Sequence, residues 1–170
     1  MVNNVASDKE RKGRTTNLSQ EDSESGIVLG REFSTSVVLF QEAMAVRLGL
    51  NATDYRCLDM ILRKGQMTAK ALAEEARLTT GAITGIVDHL ENARYVERVE
   101  NPVDRRSVII RPTISQKALE RRLGNTILSY RTAMSKLFRK YDEGQIVVIV
   151  DFLREFTLVL KAQTAILSKR

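Results

Sequence analysis

Two short segments near the middle of the chain carry hydrophobic residues every three or four positions, which is the pattern of amphipathic helices. Residues 67–76 form the first segment and residues 79–93 the second. Their apolar faces are Ala69, Leu72, Ala73 and Ala76 in the first, and Ile83, Ile86, Val87 and Leu90 in the second. Thr68 can cap the first helix, and Thr79 or Thr80 the second. Two helices with so short a link predict a helix-turn-helix.

The polar and apolar pattern changes after the second helix. Residues 95–100 and 108–111 are rich in β-branched side chains and flank a loop that reads Asn-Pro-Val-Asp-Arg-Arg-Ser. This arrangement predicts a β-hairpin, in which Pro102 is tolerated because it lies in the loop and not in the ladder. The predicted fold is therefore mainly α with a small β-hairpin wing, that is, a winged helix-turn-helix.

The outward face of the second helix is the first candidate for a binding surface. In a winged helix bound to DNA, the N-terminal half of this helix lies in the major groove. The residues on that part are all small: Thr79, Thr80, Gly81, Ala82, Thr84 and Gly85. They allow close approach and offer hydroxyls to phosphates or base edges and methyl groups to thymine. None is Arg, Lys, Asn or Gln, so bidentate readout of bases is missing from this half of the helix.

The wing and the start of the first helix complete the predicted DNA-binding set. Arg105 and Arg106 place positive charge at the tip of the hairpin, where a minor groove or its flanking phosphates could be reached. Asp104 either orients an arginine or caps the turn. Thr68 stands at the N-terminus of the first helix. The alternative for the two arginines is a solvated turn without a partner.

The segments on either side of this core predict long helices. On the N-terminal side, an apolar stripe within residues 31–48 predicts one long helix. On the C-terminal side, Ser115 can cap another long helix, whose apolar side extends to Tyr141. Asp142 and Gln145 resemble a capping box for a last helix that is apolar on nearly all sides. A helix of this kind must be covered almost all round, so a partner subunit is expected.

The residues 48–113, LGLNATDYRCLDMILRKGQMTAKALAEEARLTTGAITGIVDHLENARYVERVENPVDRRSVIIRPT, resemble the MarR family of bacterial transcription regulators. The resemblance extends from about Arg31 to the C-terminus. It implies a homodimer whose first and last helices form a dimerisation domain. It also implies one recognition helix per major groove, at Thr79–Gly85, and a wing element at Asp104 and Arg106.

Two positions depart from the family pattern. His89 stands where relatives commonly carry arginine, so a phosphate contact could be lost, and His89 is left out of the predicted set. Arg94 stands where the second helix usually ends in glycine. Since a left-handed residue other than glycine costs about 1 kcal/mol, we expect either that Asn92 takes this role or that the helix ends differently at Arg94.

The domain assignment follows from these patterns. Residues 1–26 are polar and too poor in apolar side chains to offset the entropy of ordering, so a disordered tail is predicted. Residues 27–170 are predicted to form one unit, with the winged helix-turn-helix at 53–112 and dimerisation helices at about 29–48 and 115–167. No secretory signal and no run of apolar residues long enough for a bilayer occurs, so a cytoplasmic protein is expected.

The composition shows a basic protein and excludes some functions. The net charge is +6 at pH 7, and basic residues far outnumber the single acidic Glu120 between 115 and 140. This surplus suits a polyanion, although a loose run of charge is also typical of a solvated helix face. One cysteine excludes an internal disulfide framework and a cysteine-based metal site. No phosphate loop, metalloprotease motif or nucleophile elbow is present, so neither an enzyme nor a cofactor is expected.

The function predicted from the sequence is a sequence-specific DNA-binding regulator, preferentially a repressor, that acts as a homodimer on an inverted repeat. The family resemblance implies a switch by a small aromatic or phenolic ligand or by cysteine oxidation. Met44, Tyr55 and Met60 could line a ligand pocket, or simply belong to the core, and Cys57 is either a redox sensor or an inert buried thiol. The other alternative is a winged helix that binds a protein and not DNA.

Overall fold

The computed structural model describes residues 20–168, with side chains from residue 24 onward. Residues 1–19 of the predicted polar tail lie outside this range. The chain divides into two compact units, of which the first ends at Thr113 and the second begins at Ile114. The division falls one residue after the predicted end of the winged helix-turn-helix, and the assignment of a role to each unit stays a prediction.

The first unit contains four helices and a small antiparallel sheet among its described residues. In chain order its elements are α1 (Gln20–Arg47), α2 (Ala52–Lys64), β1 (Met67–Thr68), α3 (Ala69–Ala76), α4 (Thr80–Asn92), β2 (Val96–Glu100) and β3 (Val108–Pro112). The strand order is β1-β3-β2, with Met67 opposite Ile110 and Val99 opposite Ile109. The mainly helical winged helix-turn-helix is thereby confirmed. Met67 was expected in the first helix, but it begins a two-residue strand because β3 offers it a partner.

Side-chain caps set the starts of three helices in this unit. Asn51, Thr68 and Thr79 each accept a hydrogen bond from the backbone N–H three residues ahead, which satisfies a donor that the helix itself leaves unpaired. The sequence prediction of Thr68 and Thr79 as caps is confirmed. The caps fix where α3 and α4 begin, and therefore which residues α4 exposes.

The core of the first unit lies where the three helices α2, α3 and α4 meet the sheet. Its fully buried large side chains include Leu58, Ile61, Leu72, Ile83, Leu90 and Ile110. The buried hydroxyl of Tyr95 donates a hydrogen bond to the carbonyl of Leu48 at 2.9 Å, which connects the segment after α4 to the segment after α1. Helix α4 thus rests on a packed base, and its outer face is exposed.

The end of α4 corrects a sequence expectation. Arg94 itself adopts the left-handed conformation, with φ of 58°. The N–H of Arg94 bonds to the carbonyl of Glu91 and the N–H of Tyr95 to that of Leu90, both at 2.9 Å, which is a Schellman motif. The left-handed residue is therefore Arg94 and not Asn92, and the helix keeps its usual type of ending. The two hydrogen bonds outweigh the steric cost of about 1 kcal/mol for a left-handed arginine.

The described residues of the second unit, 114–168, form three helices, α5 (Gln116–Leu123), α6 (Asn125–Phe138) and α7 (Glu143–Leu167). The single long helix expected after Ser115 is wrong. Gly124 interrupts it with φ of 55° and ψ of −130°, a backbone conformation that favours glycine. The apolar stripe continues across the break, which is why periodicity alone did not reveal it. Arg131 of α6 bonds to Glu120 of α5 at 2.6 Å across the break.

The outer helices confirm one further expectation and correct another. Asp142 and Gln145 form the predicted capping box at the start of α7. By contrast, α1 begins at Gln20, so residues 20–26 are helical and not part of a disordered tail. Glutamine and glutamate have good helix propensity, so a polar segment can extend a helix beyond its apolar stripe.

Large apolar side chains are exposed along α1 and α7. Phe33 of α1 is 54% exposed and Phe152 of α7 is 64% exposed, and no residue of α7 is buried. Within residues 20–168, no helix is long and apolar enough to span a membrane.

Candidate nucleic-acid interface

The outward face of α4 is open and almost free of bulky side chains. Gly81, Ala82, Thr84 and Gly85 are all exposed. A Cβ atom added at either glycine would meet nothing within 4 Å, so neither glycine is needed for packing inside the protein. Glycine in a helix costs up to about 1 kcal/mol relative to alanine. A close approach by something outside the chain would account for both glycines.

Three of the threonine hydroxyls on or beside this face form hydrogen bonds within the protein, and these bonds determine what each hydroxyl can offer to a partner. Thr68 and Thr79 accept from the backbone N–H groups of Ala71 and Ala82 at 3.1 and 3.2 Å, which leaves each hydroxyl hydrogen available as a donor. Thr84 instead donates to the carbonyl of Thr80 at 3.1 Å, which leaves its lone pairs as acceptors. The two caps therefore suit phosphate oxygens, and Thr84 suits a donor.

The wing tip is a tight turn held by its own polar side chains. The carboxylate of Asp104 accepts from the N–H of Arg106 at 3.0 Å, and the carbonyl of Asp104 accepts from the N–H of Ser107 at 3.0 Å. Asn101 donates to the hydroxyl of Ser107 at 2.6 Å across the base of the loop. Of the two roles considered for Asp104, the structure shows the turn cap.

The arginines of the wing tip extend into solvent. Arg105 and Arg106 are exposed, and in the part of the chain that the structure describes neither forms an ion pair with a carboxylate. Val103 beside them is 92% exposed. Two uncompensated positive charges on a rigid turn make a site for an anion, and phosphate is the anion that a winged helix meets on DNA.

Arg98 links the wing to α4, and sequence reasoning missed it. Its guanidinium donates to Asp88 at 2.6 Å, to Glu91, and to the carbonyl of Thr84 at 3.3 Å, and its backbone N–H donates to Glu91 at 2.8 Å. Burial lowers the pKa of Arg98, but the hydrogen bonds to Asp88 and Glu91 outweigh it and raise that pKa above its ordinary value. Arg98 therefore stays charged and is committed to holding β2 against α4.

The candidate residues for ligand binding or redox sensing are buried or half-buried. Cys57 is fully buried, and burial is the main reason that the pKa of its thiol is raised. Since the thiolate is the reactive form, this environment favours the inert reading of Cys57. Met44 is buried, whereas Tyr55 and Met60 are half-buried. In residues 20–168, no group of three or more His, Cys, Asp or Glu side chains could hold a metal ion.

Comparison with known proteins identifies the family. A MarR family model matches residues 48–107, which run from the end of α1 to the wing tip. A helix-turn-helix transcriptional regulator of Bacillus subtilis (strain 168), the uncharacterised YcgE, is 34% identical over 139 residues, which cover 82% of this chain and 88% of YcgE. The chain belongs to the MarR family.

Solved MarR-like structures share the fold. Streptococcus pneumoniae FabT, whose structure is a complex with DNA, is 21% identical with a TM-score of 0.62 and covers 84% of this chain and 99% of FabT. AbsC, a MarR family regulator from Streptomyces coelicolor, is 17% identical with a TM-score of 0.58 and covers 85% of this chain and 97% of AbsC. This MarR protein is a transcriptional regulator with a winged-helix architecture.

Proposed function

We propose that this MarR protein is a homodimeric repressor that binds double-stranded DNA at an inverted repeat. The observation that carries the proposal is the pairing, in one unit, of an open glycine-containing helix face with a wing whose two arginines form no ion pair with a carboxylate of residues 24–168. Arg98 holds the two parts together. The proposed DNA contacts are Thr68, Thr79, Thr80, Gly81, Ala82, Thr84, Gly85, Asp104, Arg105 and Arg106, with Asp104 acting as the turn cap.

The face of α4 and the wing are expected to contribute differently to DNA binding. The N-terminal half of α4 has no side chain that can make a bidentate contact with a base edge, so it contributes shape, hydroxyls and methyl groups. Arg105 and Arg106 contribute the charge that pairs with phosphates. The net charge of +6 supports a polyanionic partner. Binding is therefore expected to depend strongly on salt.

A second copy of the chain explains the exposed apolar helices and strengthens the DNA contacts. The exposed large side chains of α7 are Val147, Val148, Val150, Phe152, Leu153, Phe156, Leu158, Val159, Leu160, Ile166 and Leu167. So many exposed large apolar side chains on one helix are unusual for a soluble monomer and typical of a subunit interface. A two-fold dimer places two recognition helices about one turn of DNA, roughly 34 Å, apart and so reads an inverted repeat.

Control by a small aromatic ligand belongs to the same proposal. Tyr55 is the polar member of the candidate set with Met44 and Met60. Burial, and then the charge of Asp59, raise the pKa of its phenol, so Tyr55 stays a neutral hydrogen-bond donor. Phenol is a simple probe, and we expect it to weaken DNA binding by the wild type and to have less effect on Tyr55→Phe. Equal release from both proteins would remove Tyr55 from the ligand site.

The proposal is tested by band shifts with the upstream region of the protein's own gene at graded salt. We expect a specific complex whose affinity falls steeply as salt rises, and whose salt dependence becomes shallower in the double variant Arg105→Ala with Arg106→Ala. A matched control is Lys161→Ala, a basic residue of α7. Absence of a specific complex, or binding that the double variant leaves unchanged, would contradict the proposal and favour a winged helix that binds a protein.

A further inference from the structure

The one histidine of the chain lies on the outward face of α4 and has a buried acidic neighbour. Gly81, Gly85 and His89 are spaced four residues apart, so they follow one another along one side of the helix. The imidazole Nδ1 of His89 lies 3.4 Å from Oδ2 of Asp54 at the start of α2. The side chain of His89 is 66% exposed, whereas that of Asp54 is 5% exposed.

Asp54 is held in place by the cap of α2. Its backbone N–H donates to the side chain of Asn51 at 2.8 Å, and its carboxylate accepts from Asn51 Nδ2 at 2.9 Å. The carboxylate of Asp54 therefore lies close to one edge of the imidazole ring, while most of the His89 side chain faces solvent. The protein thus holds a fixed negative charge beside its exposed histidine.

Among the described residues, the surface beside His89 carries little other charge. The shallow depression beside it is lined by α2 and α4, and Asp54 is the other titratable residue in its lining. Three described elements pack against α4, namely α2, α3 and β2. Helix α2 contributes Asp54 and strand β2 contributes Arg98, whereas the charged side chains of α3 lie outside the lining of this depression. Arg98 is already bonded to Asp88 and Glu91.

The position of His89 along α4 suits the edge of a DNA groove. His89 lies eight positions after Gly81, and eight positions of an α-helix rise about 12 Å. The major groove is about 12 Å wide. When the N-terminal end of α4 enters the groove, the side chain of His89 lies toward its phosphate edge.

We propose that His89, beside the carboxylate of Asp54, contacts a DNA phosphate through Nε2, and that DNA affinity rises as the imidazole becomes charged. This inference rests on the proposed DNA-binding function. Histidine changes its charge between about pH 5 and pH 8, whereas carboxylates titrate below this range. A charged imidazole pairs with a phosphate, and a neutral one contributes at most a weak hydrogen bond. The complex therefore takes up protons, and lowering the pH strengthens it.

The test measures the salt dependence of DNA binding at about pH 6 and pH 8. Fluorescence anisotropy is used with a duplex that the wild type retains from a random pool. At the lower pH we expect the affinity of the wild type to be about two- to fivefold higher per protomer. The slope of log K against log salt should be steeper by about 1 per protomer. His89→Gln should show neither change, and His89→Arg should keep the steep slope at both pH values.

A magnetic resonance measurement gives an independent readout because the chain has one histidine. We expect the imidazole Hε1 signal to shift when the duplex is added. Asp54→Asn keeps a polar group beside Asn51 but removes the carboxylate charge, and it should reduce the pH response.

Two kinds of failure are distinguishable. Binding with the same slope at both pH values, or a pH response that persists in His89→Gln, would overturn the role of His89 and leave the proposed function standing. Failure of the wild type to retain any duplex at either pH would overturn both.

Discussion

Arg98 of β2 donates from Nη2 to Oδ1 of Asp88, on α4, at 2.6 Å. The same guanidinium bonds to Glu91 and to the carbonyl of Thr84, which lies about one helical turn before Asp88 and about two turns before Glu91. The contact makes the wing and the recognition helix one body, so the angle between them does not have to be set when DNA binds. Preorganisation of this kind reduces the entropy cost of association.

Arg98→Met should weaken DNA binding while leaving its salt dependence almost unchanged. Arg98 is already bonded to two acids within the protein, so we expect its loss to misplace the DNA contacts without removing one. Unfolding in urea should show a loss of about 1 to 2 kcal/mol, since charged hydrogen bonds at a partly exposed site are removed.

Arg111→Met is the matched control for that variant. Arg111 bonds to Glu97 across the same sheet at 2.7 Å, but both side chains are more exposed than Arg98. Its loss should cost less than about 1 kcal/mol. A fall of about 1 in the salt slope of Arg98→Met would show that Arg98 itself contacts phosphate and would contradict the positioning role.

Two substitutions of Asp104 separate its role as a cap of the wing turn from the effect of its negative charge. Asp104→Ala removes the acceptor for the N–H of Arg106 and should loosen the turn, which weakens DNA binding. Asp104→Asn keeps an acceptor at the same place and removes a negative charge near the phosphates, so it should bind at least as tightly as the wild type. The two affinities are compared by anisotropy. Equal weakening in both variants would show that the carboxylate charge, and not the turn, matters.

Gly85→Ala should raise stability and lower DNA affinity together. The new methyl group meets nothing within 4 Å inside the protein, and alanine stabilises a helix by about 1 kcal/mol relative to glycine. The same methyl group would lie between α4 and the bases. Gly26→Ala in α1, where a Cβ also finds open space, is the control that should gain stability alone. Unchanged affinity in Gly85→Ala would mean that α4 does not approach DNA at this residue.

Phe152→Arg should convert the protein to a monomer. Phe152 is exposed and stacks on Phe156, with ring centroids 5.9 Å apart, so an arginine there places charge on the apolar face without filling the core. Sedimentation analysis should show a dimer for the wild type and for the control Glu155→Lys, a charge change on the same helix. A dimeric Phe152→Arg would move the dimer interface away from this part of α7.

The local parts of the fold were predictable from sequence because they depend on neighbours in the chain. The caps Thr68 and Thr79 and the capping box of Asp142 and Gln145 bond within three residues of themselves. The hairpin strands and the apolar faces of α3 and α4 likewise follow from short-range patterns.

What the sequence did not reveal depends on distant partners or on backbone conformation. Strand β1 exists because Met67 meets Ile110, and Arg98 finds its acids on a different element. The pair of His89 and Asp54 joins residues 35 positions apart. The break at Gly124 was hidden because the apolar stripe passes through it, although glycine itself was a signal that could have been read.

Selection of bound duplexes from a random pool shows directly whether the wild type binds DNA as a two-fold dimer. We expect enrichment of an inverted repeat whose half-sites are centred about one helical turn apart. Because α4 offers few base-specific donors, we expect short conserved half-sites and a strong dependence of recovery on salt. Recovery of no enriched sequence, or of a single unrepeated site, would contradict binding by a two-fold dimer.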